Sequence, residues 1–118
     1  MADPNVKCLF CRIAAGEIPA KRAYEDEDVV AFHDVNPQAP THVLVIPRRH
    51  IEKLDELEPQ DALAMGKVLV RAGSLARELR IDSPGCRLVI NNGEAAGQTI
   101  FHIHAHLLGG RRFGWPPG

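Results

Sequence analysis

Three histidines alternate in the run His102-Ile103-His104-Ala105-His106-Leu107-Leu108, and they make up half of the six in the chain. The flanking residues read as a strand, where successive side chains point to opposite faces. All three imidazoles should then share one face, with Ile103, Ala105 and Leu107 on the other. A neutral imidazole is a competent nucleophile near neutral pH, because its ordinary pKa is about 6.5. It attacks through one nitrogen when a fixed acceptor holds the proton on the other. Such a row suits displacement at phosphorus through a covalent phosphohistidine-type intermediate, provided that donors receive the phosphoryl oxygens. One metal ion held by all three rings is disfavoured. His102 and His106 lie about 13 Å apart along a strand, whereas zinc–nitrogen bonds are about 2.0–2.1 Å.

Candidate donors stand just before the row. Asn91, Gly97, Gln98 and Thr99 offer amides, a hydroxyl and backbone N–H groups, and a glycine lets backbone approach a ligand closely. A second cluster is Cys8-Leu9-Phe10-Cys11. With a third cysteine, Cys86, the count is odd. That is a poor disulfide framework and a better thiol or metal site, which suits a reducing, cytoplasmic setting. Cys86 has no visible partner and is expected to be buried in the sheet.

The elements that must position these groups can be read in order. Residues 9–15 form a short helix, broken by Gly16 and Pro19. Residues 21–25 and 29–32 form strands joined by a turn at Glu27-Asp28. Asn36-Pro37-Gln38-Ala39-Pro40 is a loop, since two prolines preclude a ladder. Residues 42–46 form a third strand, stopped by Pro47. One long helix begins near Pro59, and Ala62, Met65, Leu69, Ala72, Ala76 and Leu79 step by three and four to give an apolar stripe. Residues 86–90 are a fourth strand, Asn91-Asn92-Gly93 a turn, and the histidine run the fifth strand. The connections before the helix are too short for crossover helices. The expected fold is therefore α+β: a five-stranded, mostly antiparallel sheet with one long and one short helix.

At 118 residues and 45% hydrophobic content the chain is expected to form a single domain with a real core. A net charge of −1 gives no global field favouring nucleic acid or a membrane surface. No window reaches the apolar length of a membrane span. Met1-Ala2-Asp3-Pro4-Asn5 carries no basic segment followed by an apolar one, so no signal peptide is expected.

The alternating histidine run resembles the motif of the histidine triad (HIT) family. So do Ala31-Phe32-His33-Asp34, Gln38-Ala39-Pro40-Thr41-His42, Val45-Ile46-Pro47-Arg48-Arg49-His50 and Gly97-Gln98-Thr99. Gly109-Gly110-Arg111 and Trp115-Pro116-Pro117-Gly118 look like the Hint branch. The likeness runs from about Cys8 onward, so residues 1–118 read as a single HIT domain. It implies a homodimer whose sheets join into one, binding of purine mononucleotides, and hydrolysis of nucleoside 5′-phosphoramidates.

By position, the resemblance makes His104 the nucleophile, His106 a group on the phosphate or leaving-group side, and His42 a relay behind the triad. It places Asn91, Thr99 and the backbone near Gln98 around the phosphate and Asp34 on the ribose hydroxyls. Leu9, Phe10, Ile13, Phe32, Val35 and Leu44 become an apolar slot for the base. Trp115 lies on a tail that approaches the partner's site. Some members carry zinc, and Cys8, Cys11, His50 and His102 would supply a Cys₂His₂ set. No organic cofactor is expected. Two other readings stay open: a dinucleoside polyphosphate hydrolase, and a nucleotide-binding regulatory protein whose turnover is incidental.

Overall fold

The computed structural model describes residues 7–118; the reading of Met1–Asn5 as free of a leader lies outside them. Helix α1 spans Leu9–Ala14. Strands β1 (Arg22–Glu25), β2 (Val29–His33) and β3 (Thr41–Pro47) follow as a meander. Helix α2 spans Ala62–Glu78, and β4 (Cys86–Val89) and β5 (Ala105–Gly109) complete the sheet. The strand order is β1-β2-β3-β5-β4, with every neighbour antiparallel. No helix among the described residues is long and apolar enough to cross a membrane.

Each sheet face has its own core. Val29, Ala31, Val43, Val45, Ala105 and Leu107 point to one side and pack under Val68, Ala72, Leu75 and Ala76 of α2. Val30, Phe32, Leu44 and Ile46 point to the other and pack under Phe10, Ile13 and Ala14 of α1. Strand periodicity puts His42 and His106 on that second face, next to Leu44. Six residues make a helix too short to hold itself, so α1 is fastened from outside. Arg48 donates to the carbonyl of Ala14 at 2.7 Å and to that of Asp26 at 2.6 Å. Arg22 donates to the carbonyl of Ile13. Two guanidiniums thus satisfy carbonyls at a helix C-terminus, where cations are favoured.

The structure departs from the sequence expectation at three places. The fifth strand starts at Ala105 rather than at His102, so only His106 of the three histidines lies in the ladder. The β3–β5 pairing ends at Val45 opposite Ala105. Two residues further on, β3 has reached Pro47, which has no N–H to give, and its carbonyl accepts from His102 Nε2 at 2.7 Å. The second departure is in α2. It follows a tight turn at Pro59–Asp61, and its buried stripe runs through Val68, Ala72, Leu75 and Ala76, flanked by Met65 and Leu79. Ala62 and Leu69 face outward. Positions 62–70 are apolar except Gly66 and Lys67, so two stripes satisfy helical spacing, and the sheet takes the one carrying Val68 and Leu75. Third, Cys86 is exposed, because β4 is an edge strand whose residues alternate between outside and half-buried.

One close approach shapes the end of β5. A Cβ on Gly109 would lie 2.5 Å from Cβ of Ile81, so only glycine lets the loop after α2 close over the strand.

Candidate active site and metal centre

A cavity of about 530 Å³ opens between α1, the ends of β2 and β3, and the segment leading into β5. Leu9, Phe10, Ile13, Phe32, Val35 and Leu44 line it, as do Asp34, Thr99, His104 and His106. These are ten of the residues that the sequence marks. Phe10 stands edge-on to both Phe32 and the His104 ring, with centroids 5.3 and 5.1 Å away. This side of the cavity is therefore an aromatic wall ending at an imidazole.

The histidine tautomers follow from their partners. A carbonyl only accepts, so the 2.8 Å contact of His104 Nδ1 with the His102 carbonyl puts the proton on Nδ1. The lone pair of His104 is then on Nε2. Burial pushes the pKa of His104 down, while its own backbone contact with His102 and the Asp34 carboxylate pull it back up. At neutral pH the ring is a free base with one nitrogen aimed by the backbone.

His42 is buried behind the cavity. Its Nδ1 accepts from the Gln38 N–H at 3.0 Å. Burial lowers its pKa, so the ring is neutral and carries its proton on Nε2. That nitrogen lies 2.9 Å from His106 Nδ1 and 3.4 Å from Oδ2 of Asp34. His42 therefore donates to His106, which is left with its proton on Nε2. The pKa of His106 is pushed down to about 4, first by burial and then by the neighbouring His104 and His42. Asp34, His42 and His106 could by distance alone surround a metal ion. The tautomer argues against it, because His42 has no lone pair left to give.

A second group of side chains could hold a metal ion. Cys8 Sγ lies 3.4 Å from His102 Nδ1, and Cys11 Sγ lies 3.3 Å from His50 Nδ1 and 3.5 Å from His102 Nδ1. All four donor atoms fall within 4.8 Å of one another. Tetrahedral zinc, with bonds of about 2.3 Å to sulfur and 2.0–2.1 Å to nitrogen, sets sulfur–nitrogen edges of roughly 3.6 Å. His102 also has the tautomer a ligand needs: its Nε2–H goes to Pro47, leaving Nδ1 bare. The Cys11 N–H donates to Cys8 Sγ at 3.3 Å. The donor set fits zinc.

Three marked residues are placed elsewhere. The Gln98 side chain is buried and spent on the chain itself. It accepts from the Gly93 N–H and donates to the carbonyls of Glu52 and Ile100. It clasps the loop so that Gly97, in the left-handed conformation at φ 93°, lines the cavity beside Thr99. Asn91 is half-buried after β4 and outside the cavity wall. Trp115 is 84% exposed and does not reach the cavity. Sequence reading missed Ile18, Pro19, Ala20, Lys21 and His33, which also line the cavity. The only trace of the Lys21–His33 pair in the sequence is their position at facing strand ends, joined by the bond from His33 N–H to the Lys21 carbonyl.

A five-stranded α+β domain that presents an aimed imidazole, a relayed neighbour and an aromatic-walled cavity defines a histidine-centred ligand-binding protein. The HIT domain pattern matches residues 15–113, and the chain belongs to the HIT family. An uncharacterized HIT-like protein of Synechocystis is 50% identical over 110 residues, which cover 93% of this chain and 96% of that one. The crystal structure of a HIT family hydrolase from Legionella pneumophila superposes with a TM-score of 0.92 at 48% identity, covering 94% of this chain and 99% of that one. A zinc-bound histidine triad family protein from Mycobacterium smegmatis gives a TM-score of 0.74 at 41% identity, covering 94% and 79%.

Proposed function

We propose that the protein hydrolyses the P–N bond of purine nucleoside 5′-phosphoramidates through a nucleotidyl intermediate on His104. The observation that carries this is the fixed tautomer of His104, with Nδ1–H tied to the His102 carbonyl and Nε2 bare. The HIT family hydrolase of Legionella supports a hydrolytic reading. The Hint-like tail from Gly109 to Gly118 supports the phosphoramidate over the dinucleoside polyphosphate.

In the first step the Nε2 lone pair of His104 forms a bond to the α-phosphorus. The P–N bond breaks with its pair going to nitrogen, and that nitrogen takes a proton relayed through His106 Nε2, freeing a neutral amine. In the second step water attacks phosphorus, the bond to Nε2 breaks with its pair returning to His104, and the proton released by water passes back through His106. The sum adds one water and consumes no net proton. Thr99 and Gly97 line the cavity and would supply donors to the phosphoryl oxygens, and Asp34 would accept from the ribose hydroxyls.

Cys8, Cys11, His50 and His102 would hold a structural zinc ion, which supplies rigidity and no chemistry of its own. The zinc-bound mycobacterial relative supports this assignment. The homodimer would form through β4 and the outer face of α2. β4 is an edge strand, Leu88 on it is exposed, and Leu63 and Val70 on α2 are each 71% exposed. Trp115 would then reach the partner's cavity rather than its own. Three cysteines outside any disulfide suit a cytoplasmic setting.

The test offers adenosine 5′-phosphoramidate and a dinucleoside polyphosphate to the protein and to His104→Ala. Release of amine and AMP by the wild type alone supports the proposal. Faster polyphosphate cleavage would move the protein to the other hydrolase reading. Tight nucleotide binding without turnover would make it a regulatory binder.

A further inference from the structure

His42 takes its tautomer from a loop that lies outside the sheet. Asn36-Pro37-Gln38-Ala39-Pro40 carries two prolines and joins no ladder. From this loop the Gln38 N–H donates to His42 Nδ1 at 3.0 Å, which leaves Nε2 to carry the ring proton. The first half of the loop is held by its own side chains. The Asn36 N–H donates to Asp34 Oδ1 at 2.8 Å, and Gln38 Nε2 donates to the Asn36 carbonyl at 3.0 Å. The second half is held by the segment after β5. Thr41 opposite Gly109 is the last rung at that end of the β3–β5 pairing, so the chain runs on from Gly110 beside the loop. Gly110 lies at φ 91°, and a Cβ there would stand 2.9 Å from Cβ of Pro40. Arg111 Nε then donates to the Gln38 carbonyl at 3.0 Å.

The Arg111 guanidinium is itself fixed. Its Nη1 donates to the Arg112 carbonyl at 3.0 Å, and its central carbon lies 4.3 Å from the centre of the Phe113 ring. Arg87 of β4 stands 5.1 Å from the same ring and donates to the Gly114 carbonyl at 2.8 Å. A planar fork held at several points is an anchored donor rather than a wandering one.

We infer that Arg111 is a positioning residue for the proton relay: from outside the cavity it fixes the Gln38 peptide, and through that peptide the tautomer of His42 and the proton on His106. Arg111 is exposed and is not among the residues that line the cavity. The inference takes from the phosphoramidate reading only the need for a proton on His106 Nε2. When the Gln38 peptide turns away, His42 Nδ1 loses its donor and can take the ring proton. His42 Nε2 then accepts from His106 Nδ1, and His106 Nε2 is left bare. The sequence Arg111, Gln38, His42, His106 thus carries the order of the tail to the ring that must give the proton.

Arg111→Met tests this on the full chain, since it removes the donor and keeps an apolar stem beside Phe113. In ¹⁵N NMR at pH 7 the wild type is expected to show His42 with a bare Nδ1 and a protonated Nε2. Arg111→Met is expected to show a mixture of both tautomers, with His106 following. The Gln38 amide is expected to exchange with D₂O about tenfold faster. Arg112→Met removes the same charge one residue on and leaves the carbonyl that Arg111 uses, so both readouts should match the wild type. Arg111→Lys, which can still donate to the Gln38 carbonyl, is expected to restore part of the wild-type pattern. With adenosine 5′-phosphoramidate, Arg111→Met is expected to lower kcat about fivefold at unchanged KM. His42 nitrogens that stay at their wild-type positions in Arg111→Met, or a change that Arg112→Met reproduces, would overturn the inference. Ring nitrogens that respond in a protein that cleaves no phosphoramidate would instead sink the hydrolase reading and leave this one standing.

Discussion

Nδ1 of His104 lies 2.8 Å from the carbonyl oxygen of His102, so the ring with the bare nitrogen is aimed by the backbone of a residue in the cysteine–histidine cluster. The His102 side chain faces Cys8 and Cys11 while its carbonyl faces the cavity side. One residue serves both centres, and the first two predictions come from that arrangement.

His104→Ala removes the group proposed to bond phosphorus, and turnover should fall by at least about a thousandfold. Nucleotide affinity should change little, since Phe10, Phe32 and Leu44 still wall the cavity. Single-turnover quench with a radiolabelled nucleotide should trap a nucleotidyl-protein in the wild type and none in the variant.

Stripping metal with a chelator, or Cys11→Ser, should lower Tm by several degrees and reduce kcat together. The His102 ring would lose its hold on Nδ1, and the carbonyl that orients His104 would loosen with it. Calorimetry and a rate assay on the same sample check the pairing. A fall in Tm with full kcat would show that the two centres are mechanically independent.

The pH dependence has a definite sign. His106 has a folded pKa of about 4, and that of His42 is also lowered, against about 6.5 for the unfolded chain. Between those values the unfolded state binds more protons than the folded state. Stability from these rings is thus complete above about pH 6.5 and is lost as pH falls toward 4. Activity should hold at pH 6 and fall on its acid limb below that. Denaturant melts across pH 4–7 should show the loss, and His106→Gln should flatten it.

Leu63→Asp combined with Val70→Asp places charge on the outer face of α2 without touching its buried stripe. The pair should convert a dimer to monomers at micromolar concentration, read by analytical ultracentrifugation. An unchanged dimer mass would move the proposed interface to another surface, and a monomeric wild type would overturn the dimer.

Much of this molecule could be read in the chain because side chains alternate in direction along every strand, even where both faces are buried and the run is apolar throughout. Val43, Val45, Ala105 and Leu107 went to α2, and Leu44 and His106 to the cavity with His42 behind it, as alternation requires. Where alternation carries no signal the reading failed for a physical reason. Leu69 and Val68 are equally apolar, and only the position of the sheet decides between them. The sequence also offers the Gln98 side-chain amide as a donor, while the family resemblance gives the phosphate to the backbone near it. In the fold, Gly93, Glu52 and Ile100 consume the side-chain amide, and no local pattern announces Glu52, 46 residues away. Trp115 is exposed on the tail, and no contact within its own chain brings it to the cavity.

The sheet pairing that ends at Ala105 leaves His104 one residue past the last rung. In-line displacement turns phosphorus inside out, and the attacking nitrogen must follow it by a fraction of an ångström. A nucleophile locked inside the ladder would have to strain the sheet to do so. His104 lies beyond the last rung and is held by the His102 carbonyl, so as the proposed nucleophile its imidazole would follow the phosphorus without breaking a rung of the sheet.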